Sequence, residues 1–226
     1  MLSELTSLVV VQDFARIPVT DQGVRPICVA LAMTGAHEIA RSRGNNSPVV
    51  LLSPEAVWGH AWERGLAGPE GTYLFAIADA LRDRGQPELS KWPLCPGGQG
   101  WSADHPEETG PPPWFRAGFT ELPLDLQLLD EELVAGHPVV LLIHVTDEFH
   151  NADETSGRIE SPFANAPRQG LHAVLCVGHA KDHEENTHFL IRNSWGSSWG
   201  NGGYAWLPSD YLANFATQMG RIESVA

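Results

Sequence analysis

Between residues 24 and 44 the apolar side chains Ile27, Ala30, Leu31 and Ile39 recur at helical spacing. Pro26 suits the first turn of such a helix and Gly44 its C-terminal stop, so a helix over 24–44 is expected with Cys28 near its start. Ser53-Pro54-Glu55 predicts a second helix running through Trp62, because serine can cap it, proline fits its first position and glutamate complements its positive end. A third helix follows Gly71 and runs through DALRDRG to Gly85. The first half of the chain therefore reads as mainly helical.

The pattern changes beyond residue 93. Residues 93–118 hold most of a Pro and Gly cluster (PLCPGGQG, GPPPW) that neither a helix nor a central strand can absorb, so a long surface connection is expected. After it, LDEELVAG predicts a short helix, PVVLLIHV and HAVLCVGH two buried strands, and HFLIRNSW with GYAWL a pair of strands joined by a Gly-rich turn. Helices first and strands second define an α+β class, with no internal repeat.

Charge narrows the partners. With 28 acidic against 14 basic residues the formal net charge is -14, which repels phosphate backbones and anionic lipid; no nucleic acid and no membrane are expected, and a peptide or protein substrate fits better. The start, MLSELTSLVVVQDFARIP, has no basic leading region and is unlike a signal peptide. Three cysteines, Cys28, Cys95 and Cys176, are widely and irregularly spaced, which argues against a disulfide framework and for a reducing, cytoplasmic location.

Four residues could carry chemistry. A cysteine at a helix N-terminus faces unpaired N–H groups and a partial positive charge, which favours thiolate over thiol; the bland alternative for Cys28 is a small buried hydrophobe. Gln22 precedes it on a loop, where its amide could donate to an oxyanion beside the Cys28 N–H, or could simply face solvent. His172 opens one apolar strand and Asn193 ends the next, so antiparallel pairing could bring them together. Singly, each reads as a structural strand-end histidine and a turn asparagine. The histidines His179, His183 and His188, near Glu184 and Glu185, follow no zinc spacing, and a solvated hairpin loop is expected there; no metal and no cofactor are called for.

In order along the chain, Gln22-Gly23-x-x-x-x-Cys28, His172-Ala173-Val174 and Asn193-Ser194-Trp195-Gly196-x-x-Trp199-Gly200-x-x-Gly203-Tyr204 resemble the papain family of cysteine peptidases. LLSPEAVWG, EGTYLFAIADALRDRG and AGHPVVLLIHV extend the resemblance over nearly the whole chain. It implies one papain-like domain over 1–226 with two lobes, helical over approximately 20–95 and β-rich over approximately 119–210, joined by the connection at 96–118 and separated by an active-site cleft. It also implies a thioester mechanism: Cys28 as nucleophile, His172 as base, Asn193 orienting the imidazole, Gln22 at the oxyanion and Trp195 covering the His172–Asn193 bond. Tyr73, Leu74, Leu142 and Ala173 align with the family's apolar pocket for the second substrate residue before the cleaved bond.

Departures accompany the resemblance. Where the family usually has Cys-Gly-Ser-Cys-Trp, this chain has Arg25-Pro26-Ile27-Cys28-Val29, lacking a disulfide cysteine and a tryptophan. Thr72 stands where a backbone-binding glycine is common, and Leu171 where a polar residue often precedes the histidine. The long N-terminal inhibitory propeptide of secreted members is not recognised, so either the chain is a trimmed form or activity is restrained by another route, an activating or inhibitory protein partner included. A thiol peptidase is the expected function; another thiol acyl-transfer enzyme, such as an amidase or transglutaminase, and an inactive binding module on the same fold are the alternatives.

Overall fold

The computed structural model describes residues 5–43, 49–95, 109–112 and 114–226. Gly44 and most of the expected connection, 96–108 and 113, lie outside the described residues.

Three helices make up the first half: α1 (Cys28–Ser42), α2 (Pro54–Glu63) and α3 (Leu74–Asp83). Helix α1 begins later than the apolar spacing suggests. Pro26 precedes the helix instead of occupying its first turn, and Cys28 itself is the first helical residue, with Ile27 as N-cap. Ser53 takes the N-cap position of α2 but makes no side-chain cap bond, and Pro54 and Glu55 open the helix as expected. The Ser53 carbonyl instead accepts a bond from Gln86 Nε2 at 2.8 Å. Gln86 also donates to Thr34 Oγ1 at 2.6 Å and lies 3.0 Å from His37 Nδ1, so one buried amide ties α1, the start of α2 and the turn after α3 together. Gly85 makes that turn: its φ is +81°, and a Cβ there would run into the Phe115 carbonyl.

The second half, joined by an N-terminal strand, forms a seven-stranded sheet among the described residues. Its strands are β1 (Thr6–Val10), β4 (Ala117–Leu122), β5 (Val139–His144), β6 (Leu171–Lys181), β7 (Thr187–Arg192), β8 (Tyr204–Pro208) and β9 (Ala216–Val225). The order is β4-β9-β5-β6-β7-β8, all antiparallel, with β1 paired to the far end of β6. Helix α4 (Leu126–Val134), capped by Asp125 Oδ1 on the N–H groups of Gln127 and Leu128, and the short α5 (Asp147–His150) and α6 (Ser209–Phe215) complete this half. A two-stranded ribbon, β2 (Ala67–Gly68) with β3 (Gly71–Thr72), lies between α2 and α3. The β6–β7 hairpin holds the histidine-rich stretch, where Asp182 accepts from the N–H groups of Glu184 and Asn186 and pairs with His188 at 3.0 Å.

Helix α1 packs across β6 and β9 and is buried along nearly its whole length. Its small residues are what allow so close a seat. At Gly35 the buried Arg192 side chain of β7 passes over the helix on its way to the Pro18 carbonyl, and a Cβ would collide with its guanidinium. One turn on, Glu38 is buried and accepts from the Leu52 N–H at 2.7 Å.

Burial raises the Glu38 carboxyl from 4.5 to about 7, and the Leu52 N–H and Arg192 charge oppose it without prevailing. The native state therefore keeps a proton that the unfolded chain gives up between pH 4.5 and about 7. Stability from this group is complete below the lower value and is lost as pH rises through the upper. Glu38→Gln, which can keep the Leu52 bond, is expected to gain stability relative to the parent on crossing that window, by about 3 kcal/mol at 1.36 kcal/mol per unit. Urea midpoints on both sides of the window test this; a difference that does not change with pH would show that Glu38 titrates in the native protein as it does in the unfolded chain.

Candidate active site

A cleft of about 490 Å³ runs between the helical half and the sheet. Gln22, Cys28 and Tyr73 stand on one wall; Leu142, His172 and Gln218 stand on the other. Cys28 reaches it because α1 starts there, and His172 because β6 does.

The loop ahead of Cys28 is held from three directions. Gln22 takes a backbone bond from its N–H to the Ser194 carbonyl at 2.8 Å, and Asp21 bridges Trp195. The Gln22 side-chain oxygen accepts from Ser194 Oγ at 2.6 Å, so the amide nitrogen is directed the other way, where it donates to the Arg25 carbonyl at 2.8 Å. Arg25 is buried and forms a two-pronged pair with Glu55 of α2, its second arm at 2.8 Å; it also donates to the Cys95 carbonyl at 3.0 Å. A buried ion pair thus anchors the loop at the position where the resemblance led us to look for a cysteine. Among the described residues no cysteine is in a disulfide.

On the other wall, antiparallel pairing of β6 with β7 sets Asn193, the first residue past β7, beside His172. His172 Nε2 donates to Asn193 Oδ1 at 2.7 Å, and the same oxygen takes the Ser194 N–H at 2.8 Å. With Nε2 carrying the proton, Nδ1 is the nitrogen with a free lone pair. Trp195 covers the bond, its ring 4.8 Å from the imidazole and inclined at 37°. Phe149 of α5 meets both rings edge-on, at 6.0 Å and 5.4 Å, and His150 stacks on the outer face of Trp195 at 5.0 Å.

Burial dominates the protonation of both groups. It pushes the Cys28 thiol up, although backbone N–H groups of Ala173, Val29 and Cys28 itself pull it down. It also holds His172 down at about 4, against the Asn193 bond, and the nearby His150 acts in the same direction. Burial at Cys28 thus works against the helix-end field that favours a thiolate. The Ala173 N–H acts on the Cys28 sulfur across the cleft, so the two halves meet at that atom.

Of the residues aligned with a substrate pocket, Tyr73 and Leu142 line the cleft. Leu74 and Ala173 do not. Leu74 is the first residue of α3 and turns into the core, and Ala173 is buried beside a separate cavity of about 20 Å³ under α1. Thr72 and Leu171 line the cleft, so both departures from the family pattern face whatever binds there. Ser194 and Gln218 escaped the sequence reading. Ser194 stood within the recognised motif, whereas Gln218 lies on a strand with no motif at all.

A family description, papain family cysteine protease, matches residues 17–219. The chain belongs to that family. It is 33% identical to a peptidase C1-like protein of Acanthamoeba polyphaga mimivirus over 103 residues, which is 44% of this chain and 32% of that protein. It is 26% identical to a cathepsin L-like peptidase of Aedes aegypti over 191 residues, 83% of this chain and 54% of that one. The chain thus spans about half the length of these relatives or less. Among solved structures it superposes on xylellain, a cysteine protease from Xylella fastidiosa, with a TM-score of 0.78 at 25% identity, covering 100% of this chain and 88% of that one.

The imidazole supplies a direct test of the site's protonation. In a proton-detected NMR titration, the His172 ring is expected to change charge near pH 4 instead of at its ordinary 6.5. The sign is that of a base kept neutral by burial, so lowering pH charges it late. A midpoint at or above the ordinary value would mean that a negative partner, in the first place a Cys28 thiolate, stabilises the cation.

Proposed function

We propose that this protein is a peptide-bond hydrolase that works through a thioester on Cys28. The observation that carries the proposal is the composition of the cleft: a thiol at a helix N-terminus on one wall, and on the other an imidazole whose far nitrogen is already committed to Asn193 at 2.7 Å. That bond sets the tautomer, leaving Nδ1 as the acceptor.

In the proposed reaction, His172 Nδ1 takes the Cys28 proton as the sulfur attacks the carbonyl carbon of an extended peptide. The carbonyl electron pair moves onto oxygen, which is met by the Cys28 backbone N–H and the Gln22 amide. Collapse breaks the C–N bond and the imidazolium gives its proton to the departing amine, leaving the acyl group on sulfur. Water, deprotonated by His172, then attacks the thioester; the acid leaves and the thiol is restored. Asn193 adds no charge and only holds the ring, and Trp195 with Phe149 keeps water from competing for the His172–Asn193 bond. Ser194 aims the Gln22 amide by accepting none of its protons and donating to its oxygen.

Mass spectrometry after incubation with an epoxide inhibitor of thiol peptidases, together with turnover of a peptide panel, tests the reading. One adduct is expected, on Cys28; Cys176 is fully buried with its thiol pushed up to about 12 and stays unmodified. Cys28→Ala and Cys28→Ser should abolish turnover and keep the fold. His172→Ala should come close to abolishing it, since it moves protons in both halves. Gln22→Ala should lose roughly 10²–10³ in kcat, the usual effect of removing one oxyanion donor. Undiminished turnover in either Cys28 variant, or a His172 variant milder than the Gln22 one, would remove these residues from the roles assigned.

A further inference from the structure

Resting on the peptidase reading, we infer that the cleft selects substrates by a basic side chain, Lys or Arg, laid along Leu142 with its cationic head at Gln218 and Glu121.

The inference starts from strand register. Leu142 of β5 is directly opposite Gln218 of β9, and directly opposed residues project from the same face of a sheet. Both line the cleft. Two residues beyond Gln218 on the same face is Gly220, whose partner on β4 is Glu121, so Glu121 shares that face on the next strand outward. Moving away from Cys28, the sheet therefore offers Leu142, then an amide, then a carboxylate. At roughly 4.8 Å between strands, the step from Leu142 to Gln218 is within the reach of one extended long side chain.

The hydrogen bonding fixes what the amide presents. Gln218 Nε2 donates to Glu121 Oε1 at 3.2 Å. An ionised carboxylate only accepts, so the amide nitrogen must face it, and the Gln218 oxygen remains as the group available to a ligand. A ligand head that reaches this end of the cleft meets an acceptor backed by a negative charge. A donor cation satisfies both. A leucine of similar bulk would cover the acceptor without supplying a hydrogen, and a glutamate would add repulsion.

The rest of the lining agrees in sign. Its charged groups, apart from the Cys28–His172 pair, are Glu70 and Arg25, and the Arg25 charge is already met by Glu55. Thus no cation in the lining competes with the substrate's own. The apolar stem of Lys or Arg suits the remaining surface, where Tyr73 and Leu142 face the same space. The net charge of -14 attracts any cationic peptide, so only a preference confined to one position in the substrate is evidence for this pocket.

The test separates binding from catalysis. Fluorescence anisotropy of extended peptides, in which one position at a time is Arg, Lys, Leu or Glu, is measured on the Cys28→Ala protein, while cleavage of the same panel by the unmodified protein reports on the peptidase reading. At one position Arg and Lys should bind about fivefold or more tighter than Leu, with Glu weakest, as a charge-assisted hydrogen bond would produce. Glu121→Gln, an isosteric change at an exposed site, and Gln218→Leu should each reduce that advantage at that position to about twofold or less. Equal binding of Leu and Arg at every position, a preference that survives both substitutions, or no binding of any peptide would overturn the inference, whatever the cleavage assay shows.

Discussion

Everything at this site depends on how closely the start of α1 is pressed against the start of β6. The contact is made by a helix of small residues on a sheet, and its tip places the Cys28 sulfur where the Ala173 N–H of the opposite wall acts on it. Neither half could supply the chemistry alone, since the thiol belongs to one and the imidazole to the other. The same closeness removes water from both groups, which is why the thiol is pushed up and the imidazole down. In the reaction proposed above, a pair so desolvated would need little solvent reorganisation when the proton moves between them. The preorganised donors around it matter most at the moment charge develops.

Much of this was readable along the chain. Apolar spacing located α1, capping residues and glycine stops located α2 and α3, and apolar runs located the strands β5 to β8. What pattern could not supply were β1, β9, the short ribbon β2–β3, and β4, whose first residues fall in the stretch read as a connection. In β9, Thr217 is exposed, Met219 and Gly220 are buried and the rest vary, because α1 covers only part of its length, so no clean alternation survives in ATQMGRIESV. In β1 the apolar residues stay largely exposed, and the run TSLVV resembles a core strand only in composition. Pro26 misled by one turn: its fixed φ suits the residues leading into the helix as well as those within it.

The site divides in the same way. Cys28, His172 and Asn193 could be singled out because their types, order and surroundings resemble a family motif. Their supports could not. Ser194 meets Gln22 across 172 positions of sequence, and Arg25 meets Glu55 across 30. Such contacts leave no periodic trace, because they are selected by where two elements end in space. Leu74 shows the converse, for the resemblance aligned it with Tyr73 in one pocket, while Leu74 opens α3 and is buried and Tyr73, the N-cap, lines the cleft.

Arg192 carries a mechanical consequence. Its guanidinium is threaded between Gly35 on the helical side and the Pro18 carbonyl, and Gln22, Asp21, Ser194 and Trp195 close the seam a few residues away. Prising the halves apart would strand a buried cation and break paired backbone groups at once. Under the peptidase reading proposed above, widening the cleft would carry that loss, so a peptide that is already extended would need less rearrangement of the protein than a rigid loop wider than the slot.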